Sequence, residues 1–240
     1  QVSEAVAFAR ESVTKADRSG DWQEQLINRT TLADALHQSG RLEDAERLYR
    51  EAEEVQQKNR QPEFPFLYGL AGFRFCDLLL ERGKNREVME RAEKTLEWLP
   101  KVGWLLDIAL ERLSLGRAWM MRAQNGEAGK KADAWERAKT FLDQSVTGLR
   151  EAGTQHELPR GLLARAAYYR LQRDFLQSWT DLAEAREIAE TGDMRLHLCD
   201  YHLEAGKLCR AEGRETEANE HFQTAERLIE ETGYYRRGKR

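Results

Sequence analysis

Cys199 and His202 stand three residues apart, one helical turn, with His197 just before them and His221 further along the chain. Thiolate and imidazole groups at that spacing are zinc-ligand types, and a tetrahedral site needs about four of them converging. No second pair completes such a set: Cys76 and Cys209 stand alone, and the chain has no Cys-x-x-Cys and no His-Glu-x-x-His. Nucleophilic chemistry fares no better, since no Gly-x-Ser-x-Gly is present and the acidic residues are spread along helix faces rather than focused. The stretch "GEAGKK" lacks the spacing of a phosphate-binding P-loop. The residues therefore point to no catalytic group, no metal and no cofactor, and to a protein that is not an enzyme. An unfamiliar catalytic site would need perturbed titratable groups in an enclosed pocket.

Composition narrows the class. Charged residues make up 33% of the 240 positions and only four are proline, which reads as a helical, well-solvated chain. The net charge of −4 argues against nucleic acid as a partner, because that affinity comes from clustered Lys and Arg neutralising phosphates. The one dense basic stretch, "YYRRGKR" at residues 234–240, reads as a frayed, solvated tail. No stretch approaches the roughly 20 apolar residues of a membrane helix, and "QVSEAVAFAR" lacks the apolar core of a signal peptide. Three widely spaced cysteines do not make a disulfide framework, so a cytoplasmic setting is expected.

What would have to position any site is a repeat. Gly40, Ala45, Tyr49 and Ala52 have counterparts in Gly213, Ala218, Phe222 and Ala225. The triplet recurs as Val88, Ala92 and Thr95, as Ala138, Leu142 and Ser145, as Ser178, Leu182 and Ala185, and first as Ala5, Ala9 and Ser12. First members recur at intervals of 40, 43, 50, 40 and 40 residues. The partner helix of each unit carries a small anchor, at Ala33, Cys76, Gly116, Ala166 and Gly206, with a larger residue three places on. Small side chains in register let antiparallel helices approach closely.

Gly40, Gly83 and Gly213 fall where a helix must end in a left-handed residue. The prolines, Pro62, Pro65, Pro100 and Pro159, fall between units, and Asp21-Trp22-Gln23-Glu24 has the form of a capping box. The expected fold is all-α, a right-handed superhelix of about eleven helices. An orphan helix occupies 1–20, followed by units at 21–61, 62–100, 101–153, 154–192 and 193–233. Residues 124–133 of the third unit read as a mobile surface loop. An array that opens on an unpaired half unit looks like a segment of a longer protein, and apolar surface around Phe8 would then favour fragment dimers; the oligomeric state stays open.

These residues resemble the tetratricopeptide repeat, with its small residue in the first helix, glycine at the turn, and alanine, aromatic, alanine in the second. The period here exceeds the ~34 residues of the standard unit, and Arg173 stands in place of the fourth turn glycine. More narrowly, "HELPRGLLARAAYYR", "GDMRLHLCDYHLEAGKL" and "AERLIEETGYYRR" resemble the C-terminal repeat regions of bacterial STAND-type signalling ATPases, including those with NACHT modules. That resemblance implies a sensor segment of a cytoplasmic signalling protein.

Stacked pairs form a concave groove lined by first helices, suited to a protein or peptide segment. Asp34, Asp77, Arg117, Ala167 and Lys207 follow the small anchors and should point into it, with Arg74, Arg170 and Arg210 a turn away. The groove is thus expected to be acidic toward its N-terminal end and basic toward its C-terminal end, steering a partner of complementary charge. The alternative is a small molecule enclosed between Trp119, Tyr169 and the groove arginines. The six tryptophans are otherwise expected to serve in packing.

Overall fold

The computed structural model describes residues 1–59, 64–99, 104–126 and 128–238, and the side chains of all of these but 128–130. Among them there are eleven α-helices and no strand. The helices are α1 (Val2–Ser19), α2 (Trp22–Gln38), α3 (Leu42–Asn59), α4 (Gly69–Glu81), α5 (Asn85–Trp98) and α6 (Leu105–Asn125). They continue as α7 (Ala128–Glu151), α8 (Leu158–Leu171), α9 (Phe175–Thr191), α10 (Arg195–Ala211) and α11 (Glu215–Thr232). A 3-10 turn at Tyr235–Arg237 follows. None of these helices is long and apolar enough to cross a membrane.

Successive helices pack as antiparallel neighbours, and α2, α4, α6, α8 and α10 also touch one another in turn, forming one row. This is an α-solenoid in which α1 is followed by five helix pairs. The repeat register carries the packing. Ala45, Tyr49 and Ala52 are fully buried, as are Ala138, Leu142 and Ser145, and Ala218 and Ala225. At Gly116 an added Cβ would sit 2.8 Å from the Leu142 side chain, and at Gly206 one would sit 2.7 Å from the Phe222 ring. In α1 the register weakens: Ala9 is buried, Ala5 is exposed and Phe8 is 70% exposed.

Local signals explain the ends. Asp21 caps α2, its carboxylate accepting from the amides of Gln23 and Glu24 at 2.8 and 3.1 Å. The expected reciprocal bond from Glu24 runs through Ser19, whose hydroxyl donates to Glu24 at 2.9 Å and accepts from the Asp21 amide at 3.2 Å. Gly40, Gly83 and Gly213 have φ of 82°, 74° and 80°. Arg173 adopts the same left-handed turn at φ 62°. An L-residue there costs about 1–2 kcal/mol, while glycine loses roughly 0.5–1 kcal/mol more chain entropy on folding. Arg173→Gly is therefore expected to raise stability by up to about 1 kcal/mol, read as a higher urea midpoint.

Two expectations need correction or fall aside. Residues 124–133 do not form a long loop, because α6 runs to Asn125 and α7 starts at Ala128, leaving a short break at Gly126. Helix-forming Ala, Gln and Lys on both sides extend the two helices through most of the insertion. Pro62 and Pro100 lie outside the described residues. Pro159 sits in the first turn of α8, and the carbonyl of Pro65 accepts from Gln57 at 2.8 Å.

Candidate functional site

The even-numbered helices line a cavity of about 610 Å3. Asp77 enters it from α4, Arg117 from α6, Arg160 and Ala167 from α8, and Lys207 from α10. Tyr234, Arg236 and Arg237, from the segment after α11, form another wall. That last contribution overturns the reading of 234–238 as a frayed tail. Tyr234 is 3% exposed and Arg236 5%, because the chain returns from α11 to the N-terminal helices. It passes so close to the first helices that an added Cβ on Gly233 would lie 3.6 Å from Val2, and one on Gly40 would lie 3.5 Å from the Tyr235 backbone.

Arg236 enters a socket built by α2 and α4. Its guanidinium donates to Asp77 at 2.7 Å and lies 3.2 Å from Glu81. Glu81 also meets His37 Nε2 at 3.0 Å, and Asp77 meets Arg117 at 2.7 Å. Alongside, Arg237 donates to Asp200 of α10 at 2.7 Å, and the Tyr234 hydroxyl donates to the same carboxylate at 3.1 Å. The tail thus fastens α4 to α10 across the concave face.

The charges in the socket are held in fixed forms. Burial alone would raise the Asp77 carboxyl, but Arg236, Arg117 and His37 pull it well below the usual range. Burial likewise opposes ionisation of Glu81, and the His37 hydrogen bond with the Arg236 charge brings it down to about 2. His37 is shifted down by burial and then by Arg236, against the pull of Glu81.

Of the predicted groove residues, Asp77, Arg117, Ala167 and Lys207 line the cavity, while Asp34, Arg74, Arg170 and Arg210 do not. The expected acidic-to-basic polarity is not what the side chains form. Asp34 lies 3.4 Å from Arg74, Arg170 is 2.5 Å from Glu204, and Lys207 is 3.4 Å from that same Glu204. Arg210 lies 3.4 Å from Glu215 and over the Phe222 ring at 4.8 Å. Each of these charges has an opposite charge within 3.4 Å, which weakens the expected gradient. The Trp119 and Tyr169 enclosure is not assembled either. Trp119 faces Arg122 and Arg137, both at 4.9 Å, and Tyr169 packs beside Tyr168.

The histidine and cysteine residues separate in a similar way. His202 and His221 meet, Nδ1 to Nδ1 at 2.9 Å, so one neutral ring donates to the other. Cys199 instead turns its thiol toward the Ala225 carbonyl, and burial with the nearby Asp200 charge pushes that thiol up to about 12. Among the described residues no group of three or more His, Cys, Asp or Glu could hold a metal ion.

Burial, then the charges of His221, Arg186 and Arg227, bring His202 down to about 4. Between about pH 6.5 and 4 the unfolded chain therefore takes up a proton that the folded chain refuses, so stability rises with pH through that window. The urea midpoint is expected to fall as pH is lowered from 7 toward 4.5. His202→Gln should flatten part of that slope.

His37, Glu81, Arg236 and Arg237 were not legible as site residues. Each is unremarkable locally, and Arg236 meets Asp77 across 159 positions of chain. The one available hint is a pair of tyrosines beside the arginines, directly after Gly233, an aromatic content unusual for a solvated tail.

The fold defines the class as an all-α solenoid, with this cavity lined by its even-numbered helices. No protein-family model and no curated protein matches the chain. Among solved structures it is similar to BtubC (BKLC) from P. vanneervenii, at 17% identity and a TM-score of 0.55. That match covers 100% of this chain and 95% of the other, and it shows likeness of fold.

Proposed function

We propose that the chain is a non-catalytic interaction scaffold, related to tetratricopeptide arrays, that holds a segment of a partner protein on its concave face. The observation that carries this reading is the row of even-numbered helices lining one charged cavity. Its ion pairs sit as fixed acceptors and donors, suited to recognising a charged chain. A role as the sensor segment of a signalling protein fits the same reading through the sequence resemblance.

Charge reversal at Asp77 is a poor probe, because it breaks the internal pairs with Arg117 and Arg236. Lys207, 54% exposed at its side chain, is the cleaner position. A photo-crosslinking residue at Ala167, in the cavity, should capture a partner that the same residue at Leu176 does not; Leu176 is 75% exposed on α9. Lys207→Glu should reduce that capture several-fold. Equal capture from both positions would sink the concave-face reading.

A small-molecule reading has one observation in its favour, since about 610 Å3 falls within the ~300–1,000 Å3 of ordinary ligand pockets. A metabolite panel that raised the melting temperature of the wild type, and not of Lys207→Glu, would favour it.

A further inference from the structure

Beyond the Gly233 and Tyr234 amides, which donate to the Ile229 carbonyl at the end of α11, the tail is held by side chains. The amides of Tyr235, Arg237 and Gly238 donate to the carbonyls of Gly233, Tyr234 and Tyr235, all within the segment. Tyr235 is 56% exposed. What ties the segment to the solenoid is the Tyr234 ring packed with Cys199, Ala225, Leu228 and Ile229, and the Arg236 guanidinium between Asp77 and Glu81, together with Arg237 and the Tyr234 hydroxyl on Asp200. A contact of this kind is modular, since the same groups on another chain would meet the same acceptors in the same geometry.

We infer that the His37, Asp77 and Glu81 socket, with Asp200 beside it, is an arginine-recognition site. In this structure the protein's own tail occupies it, and an arginine-bearing basic segment of a partner protein takes it when the tail leaves. This deepens the concave-face reading and rests on it. Three features carry the argument. Two carboxylates kept ionised at one point on a concave face are costly unless a cation covers them. One carboxylate accepting from an arm of the guanidinium, with a second carboxylate 3.2 Å from the other arm, suits a planar fork better than an ammonium. The occupying segment also forms a wall of the cavity, so its departure would enlarge the space open to a partner.

The tail is an intramolecular competitor, and a short tether keeps it at roughly millimolar effective concentration. Wild-type chain should therefore bind a free peptide of sequence Gly-Tyr-Tyr-Arg-Arg-Gly only weakly. The Arg236→Ala, Arg237→Ala double variant should bind it at least tenfold more tightly by fluorescence anisotropy. It should also reject the peptide in which both arginines are glutamate.

If the folded double variant bound the arginine peptide no better than the wild type, the inference would be overturned. Binding of the glutamate peptide instead would also overturn it while leaving the concave-face reading in place, and crosslinking from Ala167 tests that reading separately. Should the double variant lose its helical circular dichroism, the wild type decides. Hydrogen exchange at residues 235–238 should speed up several-fold under a millimolar excess of the arginine peptide. Unchanged exchange there would count against the socket.

Discussion

Arg236→Ala is expected to lower the free energy of unfolding by about 3–5 kcal/mol, the usual cost of removing one partner from a buried ion pair. The side chain is 2% exposed, and its loss would take the buried cation away from both Asp77 and Glu81, whose remaining contacts include Arg117 and His37. Urea unfolding at pH 7 measures the effect. Arg237→Ala should cost less, because that side chain is 31% exposed and its charge is better solvated. The Arg236 effect should also shrink in acid. Glu81 is held at about 2 in the folded chain against an ordinary 4.5, so its contribution is present above about pH 4.5 and disappears as pH falls toward 2. If the variant unfolded at the wild-type midpoint at pH 7, the tail would not be the fastening described above.

Gly116→Val is expected to cost about 1–3 kcal/mol through overpacking, even though valine is the better helix former. A Cβ at this position would lie 2.8 Å from Leu142 Cγ and 3.1 Å from the Leu142 backbone nitrogen. The side chain could rotate away, but the backbone of α7 could not move without disturbing Leu142 and Ser145, both fully buried. A matched Gly83→Ala change tests a different constraint, because open space surrounds that glycine and only its φ of 74° resists a side chain. It should cost about 1–2 kcal/mol. Thermal melts separate crowding from backbone strain: Leu142→Ala combined with Gly116→Val should cost less than the two changes summed, whereas combined with Gly83→Ala the two costs should add.

The helices and their pairing could be read from the residues because both depend on short-range rules. Alanine, aromatic, alanine at helical spacing placed Tyr49 in the core, and the small residue at Gly206 announced the close approach of Phe222. Glycine at Gly40 marked a turn that needs positive φ, and Asp21 marked a cap that needs a carboxylate. Even Arg173 kept the left-handed turn, since the antiparallel geometry of α8 and α9 sets the backbone there more strongly than residue preference does. The insertion at 124–133 was misread because glycine and polar residues suggest a loop, while the helix formers around them extended α6 and α7.

The site followed another logic. Asp34, Asp77, Arg117, Arg170 and Lys207 were identified as charges on the inner helices, yet their pairings depend on which helix lies opposite. Arg74 answers Asp34, Glu204 answers both Arg170 and Lys207, and Arg117 shares Asp77 with the tail. Local pattern thus specified the eleven helices, their small anchors and their turns, since each of those depends on neighbours within a few residues. The return of Arg236 to Asp77 and Glu81, and with it the character of the cavity, arose only from the curvature summed over the whole array. A slight rotation at each helix pair leaves no mark in any one repeat, and accumulated over five pairs it decides whether the segment after α11 meets α4.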